Sequence, residues 1–106
     1  MIRIARTTEP LFDIGENGLV ATPGALEALQ ARGVAPRDLV DRHLYGDYGE
    51  VPEEVRDLND AQVKNGGRIL SHDRIGEDRA EIWVITDAVG DNGRRSHTTI
   101  LLPSEY

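Results

Sequence analysis

The apolar positions of this chain change their spacing near residue 68. Upstream they recur at three- and four-residue intervals, the signature of helices with one buried stripe. Downstream they crowd into short β-branched runs bounded by Gly, Asp and Asn, the signature of strands. Thr22-Pro23 predicts a helix start, since threonine caps free N–H groups and proline suits the first helical position. That helix carries Ala25, Leu26, Ala28 and Leu29 to a stop at Gly33. Pro36 opens a second helix with Leu39, Val40, His43 and Leu44 on one stripe, broken by Gly46 and Gly49. Pro52 opens a third, with Val55, Leu58, Gln62 and Val63 inward, closed by Asn65-Gly66-Gly67.

Three strands are then expected over 68–75, 80–88 and 95–102, joined by turns at 76–79 and 89–94. Nearer the start, Leu11–Ile14 and Leu19–Ala21 flank Gly15-Glu16-Asn17-Gly18, which reads as a small hairpin because Asn-Gly tolerates positive φ. Ile2-Arg3-Ile4 reads as a short edge strand. Together these predict one α+β domain over residues 1–106, with two to three helices packed on a three- to four-stranded antiparallel meander.

Composition narrows the chemistry. The chain has no cysteine, which excludes disulfides, thiolate metal sites and thiol catalysis. No apolar run approaches the roughly 20 residues that span a bilayer, and Met1–Arg6 lacks the apolar core of a signal peptide, so a cytoplasmic protein is expected and no membrane partner. The net charge of −7 is concentrated: Glu50, Glu53, Glu54, Asp57 and Asp60 face only Arg56 in segment 50–60. Duplex nucleic-acid binding depends on clustered Lys and Arg and is not expected here. An acidic strip is either a solvated helix face or a surface that meets a basic protein.

Candidate reactive groups gather on the strands. With symmetric turns, Ser71, Thr86, His97 and Thr99 share one sheet face with Ile69, Val84 and Leu101. Arg68, Leu70, His72, Trp83, Ile85, Thr98 and Ile100 then share the other, and a one-residue register slip exchanges positions between the sets. One reading is a polar pocket with a histidine as general acid or base; the other is Ser and Thr paired across strands. His43 is either a general base oriented by Asp47 or a core histidine bonded to the following loop. Arg68, Arg74, Arg94 and Arg95 form the basic clustering and would suit phosphate. Trp83 would stack a base or sit in the core. His43, His72, His97, Asp47, Asp73 and Asp87 show no zinc or EF-hand spacing, so neither a metal nor a cofactor is expected. No P-loop and no Gly-x-Ser-x-Gly elbow is present.

From residue 21 onward the chain resembles a group of small uncharacterised bacterial proteins labelled plasmid-related. The resemblance lies in Thr22-Pro23-Gly24-Ala25-Leu26, Arg42-His43, Gly46-Asp47-Tyr48-Gly49, Leu58-Asn59, Arg68-Ile69-Leu70-Ser71, Ile82-Trp83-Val84-Ile85-Thr86-Asp87 and Thr98-Thr99-Ile100-Leu101-Leu102-Pro103. It covers about four-fifths of the length and implies no established activity. Asp73 stands where such proteins are expected to carry an aromatic residue, and the Val89–Gly93 turn is longer than usual. At fold level alone, helices before a meander are also similar to barnase- and colicin-like ribonuclease toxins.

Two main expectations follow. The first is a non-catalytic accessory protein of mobile-element or defence context that binds a basic protein through Glu50, Glu53, Glu54, Asp57 and Asp60. The alternative is an endoribonuclease in which His43 or His97 moves protons, Arg68 and Arg95 hold phosphate, and Ser71, Thr86 or Thr99 positions it. A homodimer through a sheet edge is a third reading.

Overall fold

The computed structural model describes residues 8–106; the expected strand at Ile2–Ile4 lies outside them. The elements are β1 (Leu19–Ala21), α1 (Pro23–Ala31), α2 (Pro36–Leu44), α3 (Glu53–Asn65), β2 (Ile69–Ile75), β3 (Ala80–Thr86) and β4 (Thr98–Leu101), followed by a short 3₁₀ turn at Pro103–Glu105. Helix boundaries follow local chemistry. Thr22 Oγ1 accepts the Ala25 N–H at 3.2 Å at the start of α1, and Pro36 occupies the first turn of α2. At the end of α3, Gly66 adopts φ 82° and its N–H donates to the Gln62 carbonyl at 2.8 Å.

The architecture is α+β, but the four-stranded sheet is mixed rather than wholly antiparallel. Its order is β1-β4-β3-β2, with β1 parallel to β4. The expected hairpin of Leu11–Ile14 with Leu19–Ala21 does not form. Instead, Glu16 and Asn17 donate their N–H groups to the Arg95 and Ser96 carbonyls, each at 2.9 Å. The Asn-Gly turn is therefore docked on the loop before β4, and the chain leaving it runs alongside β4. Gly15 permits that docking: its φ is 103°, and a Cβ there would lie 2.5 Å from the Ser96 carbonyl carbon.

One sheet face packs under α1 and α2. Ala25, Leu29, Leu39 and Val40 meet Ile75, Ile82, Val84 and Ile100 in one buried cluster, where each large aliphatic side chain contributes about 1.5–3 kcal/mol. α3 lies instead along the β2 edge, and its phase differs from the expected one. Leu58 is 55% exposed, whereas Asn59 is buried. The cause is hydrogen bonding. Asn59 Nδ2 donates to the Leu70 carbonyl at 2.7 Å and Oδ1 accepts the Leu70 N–H at 3.1 Å, as a neighbouring strand would. Two residues on, His72 N–H donates to the Tyr48 carbonyl at 3.0 Å and its carbonyl accepts the Glu50 N–H at 2.7 Å. Gly49 lies between these bonds with φ 72°, where a Cβ would stand 2.2 Å from the His72 oxygen. The β2 edge is thus closed at Leu70 and His72 by a helix side chain and a loop.

Candidate functional site

His43 projects from α2 onto the inner sheet face and is fully buried, as are Ser71, Thr86 and Thr98. Its Nδ1 lies 2.5 Å from Ser71 Oγ and its Nε2 2.9 Å from Thr86 Oγ1. Thr86 Oγ1 lies 2.7 Å from Thr98 Oγ1, which donates to the Ile14 carbonyl at 3.0 Å. That carbonyl orients the whole chain, because a carbonyl only accepts. Thr98 spends its one proton on Ile14, so Thr86 donates to Thr98, and the His43 Nε2–H donates to Thr86. Nδ1 is then the acceptor for the Ser71 hydroxyl. The network is complete with a neutral imidazole. A second ring proton would displace the Ser71 proton, which has no other acceptor among the described residues. Burial, reinforced by the positive charge of Arg95, accordingly lowers the His43 pKa to about 3.

This geometry builds the His43 ring into the core. Phe12 and Tyr48 pack edge-on around the ring, at centroid distances of 5.1 and 6.1 Å. Asp47 does not orient it, since both ring nitrogens are engaged by sheet hydroxyls. Asp47 Oδ1 instead accepts the Gly49 N–H at 3.1 Å, and Oδ2 lies 3.9 Å from Arg42 Nε. Nor does the His43 ring bond to the following loop, whose Gly46 N–H donates instead to the His43 carbonyl at 3.3 Å. Ser71 and Thr86 do share a face, but Thr98 completes it in place of Thr99. Val84 pairs with Ile100 and Thr86 with Thr98, one residue out of the symmetric-turn register, which sends Thr99 and Leu101 to the opposite face.

The remaining candidates make no hydrogen bond to the His43 ring, although the Arg95 charge reaches it. His97 sits in the loop before β4, with Nδ1 2.7 Å from Ser96 Oγ and 3.7 Å from Asp87 Oδ2. Arg68 is exposed, its guanidinium 5.5 Å from the centre of the Tyr106 ring. Arg95 is turned into the protein: Nη1 donates to the Gly67 and Asp87 carbonyls at 2.6 and 2.9 Å, and Nη2 to the Gln62 carbonyl at 3.2 Å. Trp83 stands on the outer sheet face between His72 and Tyr106, edge-on at 6.0 and 5.5 Å. His72 and Arg74 both reach Glu81, at 3.2 and 3.1 Å. Asp73 is buried, with Oδ1 3.4 Å from Arg42 Nη2. A carboxylate in place of the expected aromatic therefore faces an arginine.

The acidic segment divides. Glu50 pairs with Arg79 at 2.5 Å, and Asp60 is half-buried with contacts of its own. Glu53, Glu54 and Asp57 are exposed and have no ion-pair partner among the described residues. Leu58 lies exposed beside them. Val51, Glu53, Arg56, Asp57 and Asp60 line a shallow cleft of about 470 Å³. Asn59 and Thr98 escape a reading by pattern alone. The one visible signal is that each polar residue falls on a phase otherwise occupied by apolar ones. Among the described residues no helix is long and apolar enough to cross a membrane. Comparison of the chain with protein-family models, curated proteins and solved structures finds no match.

Proposed function

We propose that this chain is a non-catalytic accessory protein that binds a protein with a basic surface through the outer face of α3, in the cytoplasm of a bacterium and in a mobile-element or defence setting. The setting rests on the sequence resemblance, and the mode of action rests on one observation about charge. Arg32, Arg42, Arg74 and Arg79 each lie within ion-pairing distance of a carboxylate, whereas Glu53, Glu54 and Asp57 project unpaired around an exposed leucine. An excess of charge of one sign steers a partner of the other, and an exposed apolar residue beside it supplies contact energy once water is expelled. The helix is suited to this because it is anchored along one row, Val55, Asn59 and Gln62, leaving its opposite side outward.

The ribonuclease alternative draws less support from the geometry. Its general base would be a sealed imidazole with both nitrogens committed, and His97, Arg68 and Thr99 occupy separate regions. The test is quantitative affinity capture from the source organism, comparing the wild type with a Glu53→Lys/Glu54→Lys/Asp57→Lys variant. The proposal expects a basic protein enriched by the wild type and lost with the variant. Identical capture profiles would refute it.

A further inference from the structure

A cleft lies at the other end of α3, where the loop at 11–16 meets the turn between β3 and β4. It has a volume of about 600 Å³, within the range of small-molecule sites. Phe12, Val63 and Val89 supply apolar wall, and Lys64, Arg94 and Arg95 supply three cations. In a chain of net charge −7 this is a local reversal of sign.

Two carboxylates, Asp13 and Glu16, share the lining with the three cations, and the Asp13 charge acts on Arg95, so the cations are offset in part and remain in excess. Asp13 Oδ1 accepts the Gly15 N–H at 2.8 Å, and Glu16 Oε2 accepts from Asn92 Nδ2 at 2.6 Å. Neither lies within ion-pairing distance of Lys64, Arg94 or Arg95, and Asp13 acts on Arg95 only from beyond that distance. Arg95 is the unusual member. It is only 6% exposed, and a buried charge is ordinarily paired. Three of its five N–H groups go to backbone carbonyls, which orient the guanidinium without cancelling its charge. The other two have no protein acceptor among the described residues. The Phe12 ring centre lies 5.7 Å from the guanidinium carbon and forms the wall beside it.

We infer that this cleft binds a small organic anion, its carboxylate or phosphate held by Arg95 with Arg94 and Lys64, and its apolar part set against Phe12, Val63 and Val89. The inference is independent of the acidic face at the far end of α3. Both headgroups share the recognising chemistry of a charge-assisted N–H···O contact.

The experiment is an NMR titration of the ¹⁵N-labelled protein with benzoate, with phenyl phosphate and with neutral phenol, at matched ionic strength. Arg95→Ala removes three bonds that tie the fold together, so the variant used is Lys64→Ala/Arg94→Ala, both exposed positions. Saturable shifts at Gly15, Gly66, Gly93 and Arg95 Nε are expected for at least one anion, with Kd below about 1 mM. The double variant should weaken binding about tenfold, the effect of removing two charge-assisted contacts, and phenol should not saturate. Which anion binds more tightly identifies the headgroup. Absence of saturation by either anion, equal binding by the variant, or phenol binding as well as the anions would overturn the inference.

Discussion

At the scale of single residues, the fold turns on the protonation of His43. Because its ring is neutral when folded, with a pKa lowered to about 3 by burial first and the Arg95 charge second, the folded state takes up this proton far less readily than the unfolded one. The linkage sign is therefore fixed. The contribution is fully present above the unfolded value of about 6.5 and is lost as pH falls from there towards about 3. Urea unfolding at pH 7.5 and pH 5 should differ by about 2 kcal/mol from this residue, since each unit in the window costs up to about 1.4 kcal/mol. The lowered carboxylates of Asp78 and Glu105, held by Arg32 and by Thr22 respectively, act lower in the range and leave that interval to the imidazole. Equal stability at the two pH values would mean that the ring is charged or exposed in the native state. His43 itself was legible as an inward residue from its place on an apolar stripe. Its bonds were not, because they depend on two strands whose partner residues lie 28 and 43 positions away.

At the scale of elements, caps and breakers were good guides and strand pairing was not. Thr22-Pro23, Pro36 and Gly66 act through bonds to residues within one turn, so the helix limits can be read directly. β1 differs, because its parallel pairing with β4 depends on Glu16 and Asn17 bonding to residues 95 and 96. No local pattern encodes that contact. The phase of α3 fails for a related reason: an asparagine is inward because it completes the backbone bonding of an edge strand, and hydropathy is blind to that. The consequence is measurable. Asn59→Ala leaves both Leu70 backbone groups without their acceptor and donor and should cost about 2–3 kcal/mol in urea unfolding, more than an exposed helix substitution. It should also speed hydrogen exchange at the Leu70 amide selectively. An unchanged midpoint would show that α3 is not held through this side chain.

At the scale of the whole molecule, charge is sorted by position. Arginines around the sheet pair with nearby carboxylates, α3 displays acids and a leucine outward, and cations line the cleft at its C-terminal end. Net charge and acidic clustering were visible in the sequence, but which acids are free to act was not: Glu50 belongs to Arg79, a partner 29 residues away. Likewise, the arginines expected to share a phosphate site are dispersed, and Arg95 serves the carbonyls of α3 and the β3–β4 turn. The acidic face of α3 remains the feature that best joins the chain's charge to a function. The most direct measurement is site-specific photo-crosslinking from position 58, with a photoreactive amino acid replacing Leu58 and a second protein carrying it at Leu26 on α1 as control. Exposure of both proteins to a lysate of the source organism should give a discrete crosslink to a basic protein from position 58 alone. No crosslink from that position, or the same products from both, would contradict the assignment of α3 as the recognition surface.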